Sequence, residues 1–545
     1  MVDSLAKQRL RRSMARSYQS EVAIVGGGIA GVVCALQLLD MGKSVALFER
    51  EGPERLGGSA LEAFGGMFFV DSPEQRRMKI KDTPEQALAD WRSFAEFPGG
   101  SIWPQLWAKH LVERATPDGR DYLHGFGIRW LPVVMWVERG DRVAGNSVPR
   151  FHLTWGTSHH LISTLIKRLR AHPRANLASI HCGHRVTRFD RHAGRIAGCS
   201  GLTDTGEDFR AEAGAVVVAA GGIGGSIEQV RRLWRPVEGM ALPKDILLGT
   251  HPGADGMAVE AAGAAGAQVR NVGNMWNYAA GIRHPRAKWE GHGVSLIPPK
   301  SALWLDAHGR RLMPPMVSGF DTLDLVERVA TAPLGVTWQI LNRRIALTEL
   351  AASGADWNTA LRDRRIIRFA LDMLLGNRRL VDDLTGNCPD IVVADNVEGL
   401  AQKMKALRPE VRIDAAGLKA EIERFDATAD AQSGDPQRQL IERLRGWRAD
   451  RMRLVRPQRI LDAKGGPLMA ICERIVTRKS LGGIVTDLRS RALNEKDQPV
   501  PGLYAVGESA GFGGGGSHGL RGLEGTFLLS SVITARRAAE AIAKG

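Results

Sequence analysis

Cysteine is scarce in this chain of 545 residues. Cys34, Cys182, Cys199, Cys388 and Cys472 lie far apart, form no C-x-x-C pair and are odd in number. That excludes a disulfide framework and fits a reduced, cytoplasmic setting. The haem-attachment pattern C-x-x-C-H is also missing, so electrons from any redox chemistry must leave through an external acceptor. No run approaches the roughly 18 apolar residues of a membrane helix, so no membrane span is expected. Arg11-Arg12 is followed by no signal-type apolar region, only by Val22 to Val25 running into glycines. Residues 1–17 therefore read as a frayed basic arm. H-E-x-x-H and G-x-S-x-G do not occur, and the pairs His159-His160 and His181/His184 lack a completing carboxylate. No metal is expected.

What is abundant is glycine, 63 of 545, about 12% against a usual 7% or so and without a collagen period, which places the surplus in tight turns and phosphate-binding loops. Charge is lopsided, 74 basic against 59 acidic residues for a net +15. The excess is spread over Arg231-Arg232, Arg310-Arg311, Arg364-Arg365 and Arg378-Arg379 with no nucleic-acid motif beside it, so nucleic acid is not the expected partner. At 44% hydrophobic and 24% charged the composition is that of a globular protein.

Residues 21–50, EVAIVGGGIAGVVCALQLLDMGKSVALFER, read as strand, glycine turn, helix and second strand. In this βαβ unit Gly26, Gly28 and Gly31 fill G-x-G-x-x-G: a tight turn, a backbone open to a pyrophosphate, and close helix packing. Ile29 and Ala30 open the helix, whose free amides and dipole face the phosphates. Glu49 stands 18 residues after Gly31, where a carboxylate accepts from ribose hydroxyls; Arg50 follows it. A dinucleotide is expected.

Gly57-Gly58-Ser59-Ala60 and Phe64-Gly65-Gly66 resemble the second glycine motif of FAD-dependent oxidoreductases related to fumarate reductase and 3-ketosteroid dehydrogenase. Further pieces in the family's order are AVVVAAGGIGGS with Ala220 and Gly221, the His251 to Gly256 turn with Asp255, Leu481 to Ile484, and Gly502 to Glu508. The resemblance extends to PRFHLTWGT, ALWLDAHGRRL and FGGGGSHGLRGLEGTFL, which are similar to bacterial ketosteroid-dehydrogenase-like FAD-binding dehydrogenases. It implies FAD, an α/β fold with a Rossmann-like FAD-binding domain on a three-layer parallel-sheet core, and an inserted α+β cap (substrate) domain. The expected boundaries are 18–285 and 455–545 for the nucleotide domain and 286–454 for the cap, with residues 430–437 as a surface turn.

In the succinate dehydrogenase branch a histidine bonds FAD covalently; that place is Ser59 here, so the resemblance implies non-covalent FAD. After a run of glycines, Gly513 to Gly516, expected to be mobile, the last helix begins near Thr526. Gly525, Thr526, Phe527 and Leu528 then offer amides to the flavin's pyrimidine side, where negative charge builds on reduction.

The resemblance implies hydride exchange with flavin N5 across a C–C bond next to a carbonyl. His518 falls where 3-ketosteroid dehydrogenases have a carbonyl-polarising tyrosine, and Arg521 lies near the fumarate reductases' arginine. Tyr278, one of 4 tyrosines, is the candidate base or proton carrier. The expected substrate is an apolar cyclic ketone or enoate; Trp155, Trp276, Trp289, Trp304 and Trp338 are candidates for its pocket or for the core. Two alternatives stay open: a flavin amine or hydroxy-acid oxidase, and an RNA- or protein-binding module with structural FAD.

Overall fold

A computed structural model describes residues 16–99, 101–429, 434–454 and 456–545. Most of the expected basic arm, residues 1–15, lies outside them. Arg16 and Ser17 are not frayed: they open the strand Arg16–Val25 and pair with Phe209 and Arg210.

That strand is central to a parallel sheet. Its neighbours are Val45–Phe48 and Asp208–Val218, with Ala178–His181 beyond the first and Pro499–Ala505 beyond the second. Both faces are covered, as a parallel sheet requires. Val22, Ile24, Val45 and Leu47 point into a core shared with the helices Ile29–Asp40 and Thr526–Lys544. Ala23, Val25, Ala46 and Phe48 point the other way, onto the helix Met257–Ala264 and the hairpin of His184–His192 and Arg195–Thr203. The alternation of one strand thus makes two cores and three layers. His181 and His184, a candidate metal pair by spacing alone, pack in an aromatic cluster with Tyr18 and Phe48, and Tyr18 Oη lies 2.8 Å from His184 Nε2.

A second, mainly antiparallel sheet is ordered Leu303–Asp306, Val336–Asn342, Leu468–Ser480, Met275–Arg283, Gly293–Ile297 and Ala351–Ala352. The strand Leu468–Ser480 is buried almost throughout, as the middle of a covered sheet must be. Two of these strands, Met275–Arg283 and Leu468–Ser480, lie outside residues 286–454, so the expected cap segment builds its sheet on strands from both flanks. A small sheet of Gly66–Phe68, Phe151–Thr154 and Trp130–Met135 also forms.

Residues 430–433 of the expected surface turn lie outside the described residues; Asp435 caps the helix Pro436–Arg445, its carboxylate accepting from Gln437 and Arg438 amides. The glycine run at 513–516 is buried rather than mobile. A Cβ on Gly513 would stand 2.7 Å from the Trp107 ring, and one on Gly514 2.6 Å from the Trp103 carbonyl carbon. Its glycines are there for close packing. No helix among the described residues is long and apolar enough to cross a membrane.

Candidate functional site

The parallel strands end at a cleft lined by backbone. Gly26 turns the chain with φ +107°, and a Cβ there would stand 2.3 Å from the Ala219 carbonyl oxygen. A Cβ on Gly31 would lie 2.0 Å from the Gly26 oxygen, so this glycine lets helix and turn touch. Gly28 differs: a Cβ would meet nothing within 4 Å, and the space it would fill is the cleft. Gly28 bridges Gly57, and Gly58 packs over Gly28. The helix Ile29–Asp40 starts here with no side-chain cap and no acid in its first turn, leaving amides and the positive dipole end for an anion.

Glu49 is fixed by the Gly27 amide at 2.7 Å and the Glu51 amide at 3.0 Å, and burial pushes its carboxyl above the usual range. Arg50 donates to Asp255 at 2.6 Å and to the Gly253 oxygen at 3.2 Å. Glu508 accepts from the Ser480 amide at 2.8 Å, and desolvation pushes its carboxyl up to about 7. Ile29, Ala30, Ser59, Ala60, Ala220 and Gly221 complete this wall of the cleft, together with His251, which opens the turn that carries Asp255.

A larger cavity of about 1280 Å³ adjoins the cleft, and Ala63, Arg478, Lys479, Phe527 and Leu528 line both. Phe64, Gly65, Gly66 and Gly525 belong to this cavity. Its walls are mostly apolar, with Leu131, Val133, Phe151, Leu296 and Leu350 among them. Of the tryptophans, Trp136 and Trp357 line it; Trp155, Trp276, Trp289, Trp304 and Trp338 do not.

Polar groups converge where cavity and cleft meet. Tyr278 Oη donates to Glu524 Oε1 at 2.6 Å, Trp276 Nε1 donates to the same oxygen at 2.8 Å, and Lys479 Nζ donates to Tyr278 Oη at 3.2 Å. Burial, reinforced by Glu524, holds the phenol well above its usual range, while burial lowers the Lys479 ammonium. Lys479 Nζ also sits 4.1 Å over the Phe527 ring. Across the cavity, buried Glu138 is bound by the Thr322 hydroxyl at 2.6 Å, and desolvation holds its carboxyl well above the usual range.

His518 and Arg521 stand elsewhere. Neither lines the cavity or the cleft. His518 is fully buried between Trp91 and Phe527, with Nε2 2.7 Å from Thr526 Oγ1. Since that hydroxyl donates to the Leu523 oxygen, the imidazole is the donor. Burial pushes its pKa down to about 3, so it stays neutral. Thr526 is buried behind the helix start with it. Arg521 is committed to Asp321 at 2.8 Å and to Glu96.

A glycine turn entering an uncapped helix, an open cradle over Gly28 and a buried acid at the second strand define a dinucleotide-binding redox protein with an apolar chamber beside its cofactor cleft. The family described as FAD binding domain matches residues 21–528, and the chain belongs to it. Over 529 residues it is 39% identical to a KsdD-like steroid dehydrogenase of Mycolicibacterium smegmatis, covering 93% of this chain and 96% of that one. Among solved structures, the open conformation of a flavocytochrome c3 fumarate reductase superposes with TM-score 0.70 at 18% identity, over 99% of this chain and 81% of that one. The 3-ketosteroid-Δ4-(5α)-dehydrogenase of Rhodococcus jostii RHA1 gives 0.63 at 18% identity, over 97% and 100%. These two share the fold. The chain is an FAD-dependent oxidoreductase, and the bare cradle over Gly28 and the amide-fixed Glu49 suit that cofactor.

Proposed function

We propose that this protein exchanges hydrogen across a carbon–carbon bond next to a carbonyl, and that its substrate is an apolar cyclic ketone of steroid size. The observation that carries the reading is the Tyr278–Glu524–Lys479 cluster, set where an apolar chamber of about 1280 Å³ opens onto the dinucleotide cleft. The volume exceeds the ~300–1,000 Å³ of common ligand pockets and admits a fused-ring skeleton. The M. smegmatis relative is described as a steroid dehydrogenase, and the R. jostii enzyme holds 4-androstene-3,17-dione.

When bound, FAD supplies the hydride acceptor or donor. Tyr278 moves the proton: as it takes one from the carbon beside the carbonyl, its own passes along the 2.6 Å bond to Glu524. The hydrogen bond to Glu524 gives the phenol's proton a place to go as the substrate's arrives. Lys479 and Arg478 put positive charge at the junction and stabilise an oxyanion developing on the substrate.

In this reading Glu49 receives ribose hydroxyls, and Gly26, Gly28, Gly57 and Gly58 leave room for the pyrophosphate. Glu508, Asp255 and Arg50 order the far wall, and the Phe527 and Leu528 amides favour negative charge on the pyrimidine edge. Ser59 offers no imidazole, which supports non-covalent binding. His518 and Arg521 are positioning residues, the first for Thr526 and the second for the 511–525 segment. The five well-separated free cysteines support a cytoplasmic setting, and electrons leave to a separate acceptor.

The test is anaerobic mixing of the purified flavoprotein with ketosteroids, smaller cyclic ketones and dicarboxylates. Bleaching of the flavin by ketosteroids and not by dicarboxylates is the expected result. Bleaching by dicarboxylates alone, or by none of these, contradicts the proposal.

A further inference from the structure

The helix Ile366–Leu375 breaks the rule that an apolar helix is covered. None of its 10 residues is buried. Ile366, Ile367, Leu371, Leu374 and Leu375 are between 48% and 80% exposed. At 100° per residue Ile367, Leu371 and Leu375 fall on one outward stripe, while Ile366 and Leu374 beside it also line the large cavity. On its inner side Phe369 and Met373 line the large cavity, and Phe369 meets Trp155 edge-on with ring centroids 5.9 Å apart. The helix is therefore a wall with the chamber on one side and a bare apolar surface on the other. An apolar face left bare of protein in this way calls for an apolar medium against it.

Charge at the same place says which medium. Residues 362–379 hold six arginines and two aspartates. Arg362, Arg365, Arg368 and Arg379, against the single acid Asp363, surround a basin of about 230 Å³ at the side of the helix. Arg362 is paired with Asp363 and Asp356. No ion pair within 4 Å joins Arg365, Arg368 or Arg379 to a described carboxylate; burial holds the one acid within the helix, Asp372, above its usual range, against the pull of Arg368 and Arg379. A basin of guanidinium forks beside an apolar stripe matches a phosphate headgroup beside acyl chains.

We propose that this helix docks the protein on an anionic lipid surface, with its apolar stripe among the acyl chains and the arginine basin on lipid phosphates. Docking brings the chamber wall formed by Phe369 and Met373 against the bilayer, so an apolar ketone dissolved in lipid enters without crossing water. The docking stands on the helix and the basin alone; the identity of the cargo rests on the proposed reaction.

Vesicle flotation of the FAD-loaded protein tests it, using phosphatidylcholine alone and phosphatidylcholine mixed with phosphatidylglycerol. Binding to the mixed vesicles, weakened by salt, is expected. Ile367→Asp with Leu375→Asp, and separately Arg365→Glu with Arg368→Glu, should each lower the bound fraction roughly 10-fold or more. None of these four side chains lines the cavity, and all lie at the surface, so the flavin spectrum should be unchanged. Absence of flotation, or flotation indifferent to both pairs of variants, overturns the proposal. So does self-association in sedimentation that the same variants abolish, since the stripe would then belong to a second copy. Loss of ketosteroid bleaching with flotation intact would instead count against the reaction and leave the docking standing.

Discussion

The cofactor cleft and the apolar chamber share a wall at Lys479 and Phe527, yet they are specified in different ways. The cleft is made of main chain at strand ends: Gly26, Gly28 and Gly57 matter for the side chains they lack. The chamber is made of side chains from segments as far apart as Leu131, Leu296 and Leu350. A region whose function is to leave backbone bare tolerates almost no substitution at a few positions. A region whose function is volume tolerates exchange at many. Polar residues at the seam, Tyr278, Lys479 and Glu524, couple the two.

Breaking the cleft alone gives the largest effect. Gly28→Val adds a side chain where no protein atom stands within 4 Å, so the chain folds but the pyrophosphate loses its place. Purified variant without flavin absorbance, and with the circular dichroism of the parent, is the expected result; a yellow variant contradicts it.

Breaking the support of the chamber's wall comes next. Arg150, fully buried, donates to Asp82 at 2.7 and 2.8 Å and to Asp90 at 2.5 Å, just before the strand Phe151–Thr154 that lines the chamber. Arg150→Met leaves Asp82 buried without its cation and should cost about 3–5 kcal/mol. Denaturant unfolding measures it, and an unchanged midpoint refutes it.

The smallest effect sharpens the electrostatics of the cleft. The Glu508 carboxyl, at about 7 when folded against an ordinary 4.5, keeps its proton to higher pH than the unfolded chain does. The flavin-free protein should therefore lose stability as pH rises between these values and lose no more above them, on the order of 1–3 kcal/mol in all. Glu508→Gln should flatten that slope; an identical slope in the variant contradicts the assignment.

What the sequence made legible follows the same division. G-x-G-x-x-G, Glu49 and the glycine pair at 57–58 were readable because a backbone motif is local, and they meet at the cleft. His518 and Arg521 are candidates by their place in a motif shared with related dehydrogenases, and place in a motif does not say which way a side chain faces in a run of glycine turns. Neither lines the chamber or the cleft. The partners of Tyr278 left fainter signals. Trp276 and Tyr278, two apart on one strand, point to one side and reach one acceptor, Glu524. Lys479 closes an otherwise buried strand just before the Leu481-Gly482-Gly483 motif, a costly place for a cation with no function. The outward apolar stripe of the helix Ile366–Leu375 is not legible in the sequence, because periodicity alone does not tell which face is covered.

The most direct measurement is single-turnover flavin reduction in Tyr278→Phe. If this phenol carries the substrate's proton at the seam, the variant retains FAD and binds a ketosteroid, while its flavin is reduced ~10²-fold more slowly or worse. Reduction at the parent's rate would contradict the account.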